Sequence, residues 1–161
     1  MEIPFEKQAG GDFDWFGVDE EGLIGHFTTA GFKRLPPSVA SNAEDLKLVT
    51  DYFENISPVK GSHIIDDASL SAVLQRGWSG EKNERRYLRN FVPMADKGLF
   101  SFDIESYLRP GIAYFRVACP ETPLMMSELP GHIGKIVSRT GLRGVRLRDQ
   151  SRVAYDATLL A

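Results

Sequence analysis

Two short alternating segments, 13–18 and 23–29, flank the turn Asp19-Glu20-Glu21-Gly22, and they constrain the fold more than any other stretch of the chain. Phe13 to Val18 is aromatic and β-branched, as a strand requires. In the second segment Leu23, Gly25, Phe27 and Thr29 fall on one face of a strand, with Ile24, His26 and Thr28 on the other. Gly22 is free to take a positive φ between them. The spacing predicts a β-hairpin near the N-terminus.

The rest of the chain is read from its periodicity. Residues 1–12 are polar, with Gly10-Gly11 as a flexible joint. Leu46, Val49, Phe53 and Ile56 recur at helical spacing, predicting a helix over 41–56, with Ser41 and Glu44 in capping-box positions. A shorter helix is expected over 67–76, ended by Gly77, and a third over 81–95, kinked or ended by Pro93. Residues 99–104 and 112–118 read as strands joined through the Arg109-Pro110-Gly111 turn. A helix over 129–140, a strand over 142–148 with a basic face, and a last short strand or arm over 153–160 complete the pattern. Strands occur in adjacent pairs rather than alternating singly with helices. That order predicts a single α+β domain over 1–161: a mainly antiparallel sheet with three to four helices packed on it as one layer.

Composition narrows the class. With 161 residues, 42% hydrophobic and 25% charged, the chain is an ordinary globular one, which excludes wholesale disorder, a collagen-like fibre and a disulfide scaffold. Cys119 is the single cysteine, so no internal disulfide forms and a reducing, cytoplasmic location is expected. No basic start followed by an apolar run marks a secretory signal. No apolar stretch approaches the ~20 residues a membrane helix needs.

Charge is uneven along the chain. Residues 1–75 carry 13 acids against 5 lysines and arginines, and residues 76–161 carry 9 against 14, within a net charge of −3. Asp12, Asp14, Asp19, Glu20 and Glu21 surround the aromatic hairpin, and Trp15 stands among them. Aromatic anchors ringed by carboxylates suit a basic protein partner. The alternative is that Trp15 and Phe13 are core and the acids coat its rim.

Other clusters point to other chemistries. His63, Asp66 and Asp67 have the residue types of a metal site, although Asp67 also suits a helix N-cap; His26 beside Asp14 and Asp19 is a second such grouping. Arg85, Arg86 and Arg89 on one helix, with Arg143, Arg146 and Arg148 on one strand, could meet RNA or another anion. Cys119 ends an apolar strand and reads as a structural residue rather than a nucleophile. Neither a phosphate-binding glycine loop nor a serine-nucleophile elbow occurs.

The segment Asp14-Trp15-Phe16-x-x-Asp19-x-x-Gly22, continued by Phe27 and Gly31, resembles the opening of a family of uncharacterised small bacterial proteins. Lys97 to Asp103, Ala118-Cys119-Pro120, Pro123-Leu124 and Leu129-Pro130 are similar to the same group. Together the two segments span about half the chain. The resemblance implies kinship with immunity proteins, which bind and block a toxin from the same genome, and it brings no catalytic residues.

The sequence therefore reads as a non-enzymatic, cytoplasmic protein-binding domain, in its most specific form an immunity-type toxin inhibitor. Asp12, Asp14, Trp15, Asp19, Glu20 and Glu21 are its expected contact residues for a basic, toxin-like partner. No cofactor, metal site or membrane association is expected, and nucleic acid is disfavoured by a pI near 5.6. The alternatives are a small metal-dependent hydrolase using His63, Asp66 and Asp67, and an RNA- or anion-binding module.

Overall fold

The hairpin forms as its alternation dictates. β1 (Asp14–Val18) pairs antiparallel with β2 (Ile24–Thr28), placing Asp14 opposite Thr28 and Phe16 opposite His26. A computed structural model describes residues 1–31, 34–58, 61–75, 80–105 and 113–159. β4 (Phe100–Ile104) joins β2 in parallel, with His26 opposite Ser101 and Thr28 opposite Asp103. β5 (Ala113–Pro120) runs antiparallel to β4. The far side of β5 takes two short strands: β3 (His63–Ile65) against Ala118–Pro120, and β6 (Arg152–Ala154) against Ala113–Phe115.

Helices fill the connections. α1 (Phe5–Gly10) precedes the hairpin. α2 (Pro37–Ala40), α3 (Ala43–Asn55), α4 (Asp67–Leu74), α5 (Glu81–Leu88) and α6 (Val92–Asp96) lie between β2 and β4. α7 (Gly131–Val137) and α8 (Tyr155–Thr158) follow β5 and β6. Parallel pairing needs such a crossover, because a tight turn cannot return the chain in the same direction.

Alternation divides the core between the two faces of the sheet. On one face Trp15, Phe27, Phe102 and Tyr114 pack with Ile3, Val39, Leu142 and Leu147. Trp15 stacks on Phe27 at 4.2 Å between ring centroids and donates its indole N–H to the Tyr114 hydroxyl at 3.3 Å. On the other face Phe16, Val18 and Ile24 meet Val49 and Phe53 of α3, Met94 of α6, and Ile133 and Val137 of α7. Gly98 closes the turn into β4 at φ +94°; a Cβ there would stand 2.5 Å from the Leu124 amide nitrogen.

The α+β class holds, and its details need correction. The sheet is mixed: among the described residues the β2–β4 ladder is parallel and the other four strand pairings are antiparallel. Eight α-helices occur among the described residues, four of them at least seven residues long, and both sheet faces are covered. The polar segment 1–12 holds α1, and in it Gln8 is buried, donates to the Ile3 carbonyl and accepts from the Leu35 amide. Asn42 caps α3, accepting from the Glu44 and Asp45 amides, while the Ser41 hydroxyl turns to the Ser38 carbonyl.

Pro93 does not kink one helix. It opens a separate one, α6, where its missing N–H removes no hydrogen bond. Leu142–Arg148 is a run of turns, not a strand. Gly144 takes φ +70°, and the Leu147 amide bonds to the Asp19 carboxylate instead of to a neighbouring strand. Leu142, Val145 and Leu147 still point inward and the arginines outward. The expected turn at Arg109-Pro110-Gly111 and the stop at Gly77 lie outside the described residues.

Trp15→Ala is expected to cost about 3–5 kcal/mol, as other buried aromatic truncations do. Urea unfolding of the two proteins measures it. A loss below about 1 kcal/mol would mean that the Trp15–Phe27 stack does not organise this face.

Candidate functional site

At the carboxyl ends of the parallel pair β2 and β4 a groove of about 1050 Å³ opens. Its floor is the sheet itself. Asp14, Thr28 and Asp103 stand in one row across β1, β2 and β4, and Phe16, His26 and Ser101 form the row beneath. Two strand spacings separate the Asp14 and Asp103 backbones, about 10 Å. The N-terminal segment, Lys47, Asp51 and Glu54 of α3, and Tyr87 and Phe91 form the walls.

Asp103 is the most constrained group. Its Oδ1 accepts from Thr28 Oγ1 and from the Ile104 amide, each at 2.8 Å, and its Oδ2 accepts from the Tyr87 hydroxyl at 2.8 Å. Burial raises its pKa above the ordinary carboxylate value; those three hydrogen bonds oppose the rise, and the Asp12 charge adds to it. All three donors are neutral, and no ion pair to Asp103 forms among the described residues.

Beside it, His26 is 0% exposed. Its Nδ1 lies 2.7 Å from Ser101 Oγ. Its Nε2 points at Asp14 Oδ2 on the groove floor, 3.5 Å away, and has no hydrogen-bond partner among the described residues. Ser101, His26 and Asp14 are neighbours in space, yet Ser101 is also 0% exposed, so it presents no nucleophile to the groove. The Ser101–His26 pair lies beneath Asp14 without a hydrogen bond to it. At the edge, Ala30 holds a left-handed φ of 49° while its amide donates to Asp12 Oδ1 at 3.0 Å. Strain of this kind concentrates where a fold shapes a site.

The expected contact residues separate into three places. Asp12 and Asp14 line the groove. Trp15 faces the opposite side of the sheet and is 0% exposed. Asp19, Glu20 and Glu21 lie at the other end of the hairpin. There Asp19 is buried and accepts from the amides of Glu21, Leu23 and Leu147, which fixes the turn. Glu20 and Glu21 are exposed, and Glu20 accepts from the Gly144 amide.

The other clusters are engaged locally. His63 pairs with Asp96 at 2.8 Å, and Asp66 caps α4 through the Ser69 amide and lies 3.8 Å from Arg116. Asp67 sits in the first turn of α4. Among the described residues no three His, Cys, Asp or Glu side chains are placed to hold a metal ion. His26 meets Asp14 but not Asp19. Arg85 lies 3.8 Å from Glu81, while Arg143, Arg146 and Arg148 are exposed on turns. Burial pushes the Cys119 thiol up, which keeps its thiolate scarce. No helix among the described residues is long and apolar enough to cross a membrane.

Asp103, Tyr87, Thr28 and Ser101 were not expected as site residues. Alternation already puts His26 with Thr28, and Ser101 with Asp103, on single faces. The missing signal is that β2 and β4 are neighbours. Comparison with protein-family models, curated proteins and solved structures finds no match to this chain, so the groove has to be interpreted from its own chemistry.

Asp103 holds its proton more tightly folded than unfolded. Its burial therefore costs stability above the raised value, and the cost vanishes below the ordinary carboxylate value. Asp103→Asn is expected to raise Tm at pH 7.5 by about 2–4 °C, the shift ~1 kcal/mol gives a chain this size. The gain should fade as pH falls toward about 4. Thermal melts across that range check it; a gain independent of pH would contradict this account of Asp103.

Proposed function

We propose that this protein is a non-enzymatic, cytoplasmic binding protein that takes a basic segment of a protein partner into the acidic groove. An immunity-type inhibitor of a toxin is the form of this reading that the resemblance of its opening hairpin supports. The observation that carries it is the convergence of Glu2, Asp12, Asp14, Glu44, Asp51, Glu54 and Asp103 on one groove, against Lys7, Lys47 and the Met1 ammonium. Lys47 is itself held by Asp51 at 2.5 Å. A groove in which one sign of charge predominates steers an oppositely charged partner and speeds encounter. The contact surface thereby moves from the turn acids to the strand ends, while Asp12 and Asp14 remain in it.

One observation favours a second, catalytic reading. A carboxyl with a raised pKa near a second carboxylate is the arrangement general acid–base chemistry uses, and Asp103 stands across Thr28 from Asp14. Turnover abolished by Asp103→Asn would replace the binding reading with this one.

The binding reading is tested by affinity capture from the protein's own cell extract with two charge-reversed variants. A basic protein should be retained by the wild type and by Glu20→Lys/Glu21→Lys, and lost by Asp12→Lys/Asp51→Lys. Retention by the groove variant together with loss by the turn variant would return the contact surface to the hairpin turn.

A further inference from the structure

The groove floor has the chemistry of a single-residue anchor site, and we propose that it holds one arginine side chain of the partner, its guanidinium set over Thr28 between the Asp14 and Asp103 carboxylates. The proposal rests on the binding reading above and adds the identity of the contacting group.

Three observations carry it. Asp103 is a partly buried carboxylate whose hydrogen bonds among the described residues come only from neutral groups. A buried charge held this way is costly, and a cation compensates it far better than hydroxyls do. Among the described residues its Oδ2 accepts only from Tyr87, which leaves that oxygen capacity for a further donor from the groove.

His26 supplies the independent observation. Its Nε2 is buried and unpartnered among the described residues, aimed at Asp14 from 3.5 Å. That distance is beyond a good hydrogen bond. A ligand that fixes the Asp14 carboxylate from above can bring its inner oxygen onto Nε2 and satisfy both groups together. The Ser101 hydroxyl on Nδ1 holds the ring in place for this contact.

Shape selects arginine among the cations. The two carboxylates flank a central threonine, and a guanidinium offers five donors in a planar fork that can reach acceptors on both sides. Lysine presents a compact point charge instead. Phe13, Tyr87 and Phe91 line the same groove, and guanidinium groups stack on aromatic faces. Asp12 adds negative charge at the entrance.

The test uses the full chain and four defined probes: the peptide amides Gly-Arg-Gly, Gly-Lys-Gly and Gly-citrulline-Gly, and spermidine. Binding is followed by NMR, including the side-chain nitrogen resonances of His26. Gly-Arg-Gly should bind at least tenfold more tightly than Gly-Lys-Gly or spermidine and shift the His26 nitrogens, and the uncharged citrulline peptide should not bind. Asp103→Asn and Asp14→Asn should each weaken the arginine peptide at least tenfold. Both are near-isosteric, so retained native spectra separate loss of the site from loss of fold. Tighter binding of spermidine would assign the site to a free polyamine and overturn the proposal. Unchanged affinity in both variants, or no arginine binding up to about 10 mM, would also overturn it. The anchor fails alone if Asp103→Asn captures the partner as well as the wild type does while Asp12→Lys/Asp51→Lys still loses it. If capture ignores the groove entirely, the binding reading fails with it.

Discussion

The groove depends on the parallel ladder between β2 and β4. That pairing sets Thr28 beside Asp103 and His26 beside Ser101. The hairpin register then adds Asp14 and Phe16 to the same two rows. A slip of one residue along β4 would turn Ser101 and Asp103 to the opposite face, among Trp15, Phe27 and Tyr114, where the Trp15 indole and the Tyr114 hydroxyl already bond to each other. Register here is therefore held by apolar packing on one side and hydrogen bonding on the other.

The two faces divide the work of the molecule. The Trp15 face is stacked aromatic surface and supplies stability. The α3 face is apolar around Phe16, Ile24 and Phe53, then becomes polar toward the strand ends. Features that cost stability gather there: the raised carboxyl of Asp103, the unpartnered His26 Nε2 and the left-handed Ala30. Such concentration in one place is the pattern expected where a fold trades stability for a site.

Legibility followed the range of the interactions. The hairpin and α3 were readable because alternation and the 3.6-residue period are local. α1 and β3 were not. α1 is six residues long with no side-chain cap, and it is held by Gln8 through Ile3 and Leu35. β3 is three residues long and exists by pairing with β5. Leu142–Arg148 carries strand-like alternation, yet its Gly144 and Leu147 amides are taken by Glu20 and Asp19. The acidic excess of residues 1–75 was visible as composition. Its gathering around Asp103, which belongs to the basic half, required the long-range β2–β4 contact. Asp19 shows the converse: acidic in sequence, it serves the backbone of its own turn.

The central claim is that Asp103 is a partly buried carboxylate poised for a cation, and carbon-detected NMR titration of the aspartate carboxyls measures it most directly. The resonance that disappears in Asp103→Asn should titrate above the ordinary carboxylate range in the free protein and move back down when the arginine peptide is bound. An Asp103 that titrates at the ordinary value and ignores the peptide would contradict the account.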